Sequence, residues 1–347
     1  MRMVETPWWR RERFAARAPY LEARGAALRA VRRYFEAEGF AEVDTPALQI
    51  SPGLELHLRA FATTLDEPGA GARPFFLHTS PEFTMKKLLA AGVPKLFQLA
   101  HAFRNGERGA THHPEFTLLE WYRAGATYLD LMTDCERLLT AVLEAVGQPQ
   151  FSWQGRTADP RQPWRRETVA GLFADRCGID ILATAPEPER PSLELLAAAA
   201  QPLGIAPHPG DDWDDLFFRI FLERIEPTLG IGAPAILADY PIAMAALARA
   251  KPDDPRVAER FEVYVGGLEL ANGFSELTDP VEQRRRFERD GARKRTRYGE
   301  TYPIDDDFLA ALGAMPSSAG IALGFDRLVM LAAGATRIDD VLWAPVA

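Results

Sequence analysis

Phe103–Glu120 reads FRNGERGATHHPEFTLLE. Apolar and aromatic residues dominate on both sides, over Leu96–Phe103 and Phe116–Arg123. The segment therefore reads as two strands joined by a long polar loop. Arg104 stands where the first strand ends, and Asn105, Glu107, His112 and His113 follow in the loop. A guanidinium there can grip a phosphate through two parallel N–H bonds and stabilise charge developing on it. Alone, the same arginine reads as half of a surface salt bridge. The downstream HPEFT (residues 113–117) and LEWY (residues 119–122) move the balance toward phosphate.

Two distant stretches fit the same site. Gly320–Arg327 reads GIALGFDR, a strand followed by a helix from Asp326. Gly320 and Gly324 let a ligand lie close against the strand, and Arg327 would aim at a polyphosphate. A core strand with Asp326 as helix N-cap is the plainer reading. Gly39–Pro46 reads GFAEVDTP, a short strand from Phe40 to Val43 stopped before Pro46.

Acidic residues cluster in the run before the last motif. Glu262 and Glu269 lie at odd spacing, so one regular strand would set them on opposite faces. The Gly266-Gly267 pair between them is a natural turn, and a hairpin would bring them together as Mg2+ ligands beside a triphosphate. Asn272 and Glu276 share a face of the following strand. A buried Glu276 needs a cation, and a ligand ammonium would serve. Ser80, as N-cap, and Glu82 open a helix with Pro81 at its first position, where they could meet a substrate amine or simply start the helix. His112 and His113 read as loop hydrogen-bonders rather than metal ligands. No GxSxG, HExxH, Walker A or dinucleotide-binding glycine pattern is present.

The 347 residues carry a formal charge of -9, which argues against a large tRNA or DNA footprint. Cys135 and Cys177 lack ligand spacing and read as buried hydrophobes. With no signal-peptide core and no membrane-length apolar run, a soluble cytoplasmic protein is expected.

Leu21, Leu28, Val31 and Phe35 mark an amphipathic helix from Tyr20 to Glu38, ended by Gly39. Tyr128–Val146 is another. Phe75–His78 reads as a strand after a loop at 66–74, and Val281–Arg297 as a charged helix with a solvated face. The elements make an α+β layout, an antiparallel sheet flanked by helices.

In order and spacing the three stretches resemble the signature motifs of class II aminoacyl-tRNA synthetases. LFQLAHAFRN, HHPEFTLLEWY, ELANGFSELTD and GIALGFDRLVML resemble the lysyl-tRNA synthetase branch from about Tyr20 to the end. That implies residues 20–347 as a class II synthetase-like catalytic domain behind an N-terminal arm (residues 1–19), with a mainly helical insertion at about 147–230. The chain leaves no room for an anticodon-binding domain, so no anticodon reading is expected. Within the branch it is most similar to the elongation factor P–(R)-β-lysine ligases. RVAERFEVYVGGLELANGF (residues 256–274) is very like theirs, and Ala322 stands where lysyl-tRNA synthetases have glycine. Its methyl group would crowd an amino group on the α-carbon and suit one on the β-carbon.

The resemblance implies ATP and Mg2+ as cofactors, with Arg104 and Arg327 as the catalytic phosphate-holding residues. Asn105, Glu107, His112, Phe116, Glu269, Leu270 and Gly324 complete the ATP site, and Glu262 and Glu269 hold Mg2+. Ser80, Glu82, Glu120, Tyr122, Asn272, Glu276 and Ala322 take the amino acid, with Glu276 on its side-chain ammonium. The implied partners are (R)-β-lysine and elongation factor P, with no membrane. Pro46 belongs to a motif that implies a homodimer. One departure stands out. The family reads Arg-Asn-Glu where this chain reads Arg-Asn-Gly-Glu, so Gly106 occupies the place of an adenine-contacting Glu. Either Glu107 takes that role through a shifted loop or the backbone suffices. Two other readings stay open: a truncated lysyl-tRNA synthetase paralogue using α-lysine, and a non-catalytic regulatory paralogue.

Overall fold

Eight strands build the central sheet: β1 (Ala41–Glu42), β2 (Lys95–Phe103), β3 (Glu115–Ala124), β4 (Arg165–Thr168), β5 (Ala235–Pro241), β6 (Val257–Val265), β7 (Leu268–Ser275) and β8 (Ser318–Gly324). The structure, a computed structural model, describes residues 7–69 and 71–346. Across the sheet the strands run β1-β2-β3-β8-β7-β6-β5-β4. From β2 to β5 all neighbours are antiparallel, as expected of an α+β fold. The edge strands β1 and β4 pair parallel with their neighbours, which the sequence did not reveal. A parallel pair needs a crossover rather than a tight turn, so nothing local in the chain marks it.

The two faces of the sheet do different work, because side chains alternate along a strand. Phe97 and Trp121 point to one face, where Phe35 stacks on Phe97 with ring centroids 4.6 Å apart. Helices Arg11–Ala37, Tyr128–Val146 and Phe325–Ala333 cover that face and bury the larger core. Leu96 and Tyr122 point to the other face, toward helices Glu82–Ala90, Pro280–Tyr298 and Asp306–Ala314. There the cover is incomplete, and the gap is the candidate site.

The first helix begins at Arg11 rather than Tyr20, so most described residues of the expected arm are helical; residues 1–6 lie outside the described part. Pro19 sits inside this helix without ending it. Tertiary ties hold the turn before it: Arg17 donates to the carbonyls of Leu342 and Asp340. Gly39, at φ +76°, ends the helical run in the left-handed conformation that glycine adopts without strain. The loop expected at 66–74 is narrower, because a hairpin of Phe61–Glu67 and Gly71–Leu77 runs through most of it. Ser80 and Pro81 precede the next helix instead of opening it: Pro81 is its N-cap and Glu82 its first residue.

The stretch 147–230 opens with a hairpin (Phe151–Trp153, Arg156–Ala158), supplies β4, and continues through helices Val169–Cys177, Leu193–Ala200 and Trp213–Ile220. It has its own core around Phe173, Phe217 and Ile220, which closes onto the sheet through Leu237, Tyr240 and Tyr264. The charged helix Pro280–Tyr298 is less solvated than its composition implies. Arg286 and Lys294 are buried, and Arg293 and Arg297 pair with Asp212, Asp214 and Asp215 of the insertion. Cys135 and Cys177 are buried free thiols. Among the described residues no helix is long and apolar enough to cross a membrane.

Candidate active site

A cavity of about 430 Å³ opens on the second face, floored by β3, β8 and β7. Gly320, Ala322 and Gly324 of β8 line it at alternate positions, as one strand face must. Ala322 lies opposite Glu120 on β3 and Asn272 on β7, and Gly320 lies opposite Tyr122 and Phe274. Gly320 is there for space: a β-carbon would collide with the Tyr122 ring and with Glu276 Oε1.

One end of the cavity is cationic. Arg104 leaves β2 stacked over the Phe116 ring, 5.0 Å from its centroid, with Nε 3.4 Å from the Thr79 carbonyl. Arg327, in the first turn after β8, donates to the Glu269 carbonyl at 2.8 Å and to His112 Nε2 at 2.6 Å. Burial and the neighbouring Arg327 charge push the His112 imidazole below its ordinary pKa, so it stays neutral and accepts that bond. Glu107, His112, Phe116, Leu270 and Gly324 line the same end. Asn105 does not; it occupies a turn and donates its backbone amide to the Arg59 carbonyl. Gly106 follows at φ +86°, a conformation that explains glycine there and swings Glu107 toward the cavity.

The odd spacing of Glu262 and Glu269 is resolved by a hairpin and a bulge. Glu262 pairs with Asn272 and Tyr264 with Glu269, with a register shift between Val263 and Tyr264. The extra residue returns both acids to one face. Glu269 reaches the cavity, and burial together with the Glu262 charge lifts its carboxyl to about 7. Glu262 stands behind it, outside the lining, its carboxylate accepting from Tyr240 (2.5 Å), Tyr264 (2.6 Å) and Arg260 (2.6 Å). No group of three or more His, Cys, Asp or Glu side chains among the described residues could hold a metal alone. Mg2+ characteristically takes one or two carboxylates and completes its shell with phosphates and water. The donor set fits that mode, with Glu269 the nearer ligand.

The other end is anionic. Ser80 Oγ and Tyr122 OH both donate to the Glu120 carboxylate, the latter at 2.8 Å. Burial, then the Glu82 charge, pushes Glu120 up to about 8. Glu276 is the correction. Its cationic partner is internal: Lys86 Nζ lies 2.5 Å from Glu276 Oε2 and 2.5 Å from Glu82 Oε1. Glu276 lies behind Gly320 and does not itself line the cavity. Burial raises it to about 8, although Lys86 pulls the other way. Burial alone would depress the Lys86 ammonium, but Glu276 and Glu82 together outweigh it and keep the ammonium charged. Glu82 and Glu276 thus share one cation, while Glu120 and Glu276, both lifted toward protonation, are carboxyls that the arrival of a second cation would ionise. Asn272 is turned toward Arg260, whose Nε donates to it at 3.2 Å.

Sequence reasoning missed Lys86. Its signal was there: Glu82 and Lys86 lie one helical turn apart beside the buried Met85 and Leu89, on the stripe that must face the sheet. It also missed the structural role of Asp326, which is no N-cap. Asp326 accepts from Arg24 and, at 2.7 Å, from the Thr117 amide, tying the first helix to β3 and to the turn that carries Arg327.

Residues 8–346 match the family model of the class II tRNA synthetases (D, K and N). The chain belongs to that family, and it carries the family's fold with Arg104 and Arg327 lining one end of the cavity. Among characterised proteins it is similar to elongation factor P–(R)-β-lysine ligases. That of Vibrio atlanticus (strain LGP32) is 40% identical over 335 residues, 95% of this chain and 97% of its own. That of Sodalis glossinidius (strain morsitans) is 42% identical over 322 residues, 92% of each chain. That of Pectobacterium atrosepticum is 40% identical over 342 residues, 98% of each chain.

Proposed function

We propose that this chain is an ATP-dependent ligase that activates (R)-β-lysine as its adenylate and joins it to a lysine of elongation factor P. The observation that carries the reading is a single cavity, cationic at one end, with two carboxylates on one internal ammonium and the Glu120 carboxyl beside them at the other. An amino acid with two ammonium groups fits such a cavity with its carboxylate toward the arginines. The named relatives, which this chain matches over nearly its whole length, support the same substrates.

In the first step a carboxylate oxygen attacks the α-phosphorus of ATP, the bond to the β-phosphate oxygen breaks, and pyrophosphate leaves. Arg104 meets the α-phosphate and Arg327 the γ-phosphate, placing charge where charge develops. Asn105, off the lining, contributes through its turn alone, and Glu107 stands in for the acid displaced by Gly106. Mg2+ held by Glu269, with Glu262 behind it, would neutralise part of the polyphosphate charge. Ser80, Glu82, Glu120 and Tyr122 receive an ammonium group of the amino acid. Glu276 acts on the substrate through the field it shares with Lys86. Ala322 and Asn272 shape the floor, the alanine methyl favouring an amino group on the β-carbon.

We place the enzyme in the cytoplasm as a homodimer joined through the segment around Pro46. Light scattering giving a monomer mass would overturn the dimer alone. The function is tested by incubating elongation factor P with this chain, ATP and either (R)-β-lysine or α-lysine. Mass spectrometry should show a β-lysyl adduct on one lysine. No adduct, with no amino-acid-dependent pyrophosphate exchange, would sink the assignment.

A further inference from the structure

Glu55 lies in the loop before the hairpin at Phe61–Glu67, and it lines the cavity beside Glu82 and Arg104. Its Oε2 is sealed from solvent and accepts no hydrogen bond from any described residue. The loop is built to hold it. Gly53, at φ +121°, leaves no room for a β-carbon between Thr79 Oγ1 and Glu55 Oε2. Lys294 of helix Pro280–Tyr298 donates to the Glu55 carbonyl at 2.9 Å and to that of Leu58. A buried carboxylate oxygen without a partner is costly, and such a site persists when the group is used. The adenylation step gives it no role. The transfer step, in contrast, requires a proton acceptor: the incoming lysine is an ammonium of ordinary pKa about 10.4, which cannot attack.

We propose that Glu55 is the base that deprotonates the acceptor lysine in the transfer step, an inference that rests on the ligase reading above. One proton of the acceptor ammonium passes to the Glu55 carboxylate, which lines the cavity. The freed nitrogen pair attacks the adenylate carbonyl carbon and forms the C–N bond. The carbonyl–phosphate C–O bond breaks, its electron pair leaving with AMP. The second proton leaves the nitrogen with the phosphate oxygen, and Glu55 returns its own to solvent. The groups that face Glu55 suit this task. Burial, then the Glu82 charge, raises its carboxyl above the ordinary range, while its own backbone amide, then Arg104 and Lys294, restrain the rise. His57, two residues on, is occupied by the Tyr298 hydroxyl at 2.8 Å.

The test separates the two steps in Glu55→Gln, with Glu55→Asp as the conservative partner. Adenylate formation is read by pyrophosphate exchange, and transfer by single turnover of enzyme-bound adenylate with elongation factor P. In E55Q transfer should fall about 100-fold, the ordinary scale of general-base catalysis, while exchange changes far less. E55D should recover part of the loss. The pH profile is the readout that a structural role would not move. Wild-type transfer should level off above the Glu55 pKa, whereas E55Q transfer should keep rising toward the acceptor's own pKa. Unchanged transfer in E55Q, or exchange falling in parallel with it, overturns the base assignment alone. Wild-type chain with no exchange overturns the ligase reading and this inference with it.

Discussion

Lys86 Nζ stands 2.5 Å from Glu276 Oε2, with both side chains almost wholly buried. The pair lets the fold keep two acids at one end of the cavity without leaving a bare charge in the interior. Removing one partner of such a pair typically costs about 3–5 kcal/mol, because the other is left buried alone. Lys86→Met should therefore lower the denaturant midpoint strongly and weaken amino-acid binding, whereas Lys87→Met, on the more exposed neighbour, should do little to binding. Equal effects of the two would refute this arrangement.

Arg104→Ala should reduce pyrophosphate exchange by about 100- to 1000-fold, the usual loss when one charge-stabilising donor is removed. Its guanidinium is only partly buried, over Phe116, so unfolding by circular dichroism should shift little. Exchange within a few fold of wild type would exclude a phosphate role.

Gly320→Ala places a methyl group where the Tyr122 ring and Glu276 Oε1 already are. Backbone and ring must shift together, and overpacking of this kind costs about 1–3 kcal/mol. The amino-acid KM should rise more than the ATP KM. Equal changes in both would show that β8 is not the wall of the amino-acid end.

Glu120 and Glu276 both have carboxyls lifted from the ordinary 4.5 to about 8, so the free protein binds more protons there than the unfolded chain. Their contribution to stability is complete below pH 4.5 and is lost as pH rises through about 8. A diammonium ligand prefers the ionised carboxylates, so its affinity should strengthen from pH 6 to 8 and binding should release protons. Calorimetry in buffers of differing ionisation enthalpy reads this directly; proton uptake, or a flat affinity, would contradict it.

Much of this site could be read in the chain. Arg104 and Arg327 declared themselves because each follows a short apolar run, and the Gly266-Gly267 turn was enough to expect Glu262 and Glu269 on one face. The bulge at Val263/Tyr264 that achieves it was not legible, since a register shift leaves no mark in composition. Lys86 was missed for a different reason. Lysine four residues after glutamate is the ordinary signature of a solvated helix, and that signature masked the place of Glu82 and Lys86 on the Met85 and Leu89 stripe that packs the helix on the sheet. The parallel edge strands, the helical start at Arg11 and the orphaned oxygen of Glu55 likewise depend on partners far away in the chain or on none at all.

The order of the sheet has a consequence for biosynthesis. Strand Ser318–Gly324 is the last of the sheet to leave the ribosome, yet it lies between Glu115–Ala124 and Leu268–Ser275. Until it emerges, a nascent chain holds two separate half-sheets, each presenting a bare edge that invites pairing with other chains. Growing polypeptides and C-terminally shortened products therefore lack the wedge that joins the halves, and such fragments should need chaperoning and be unable to form an adenylate.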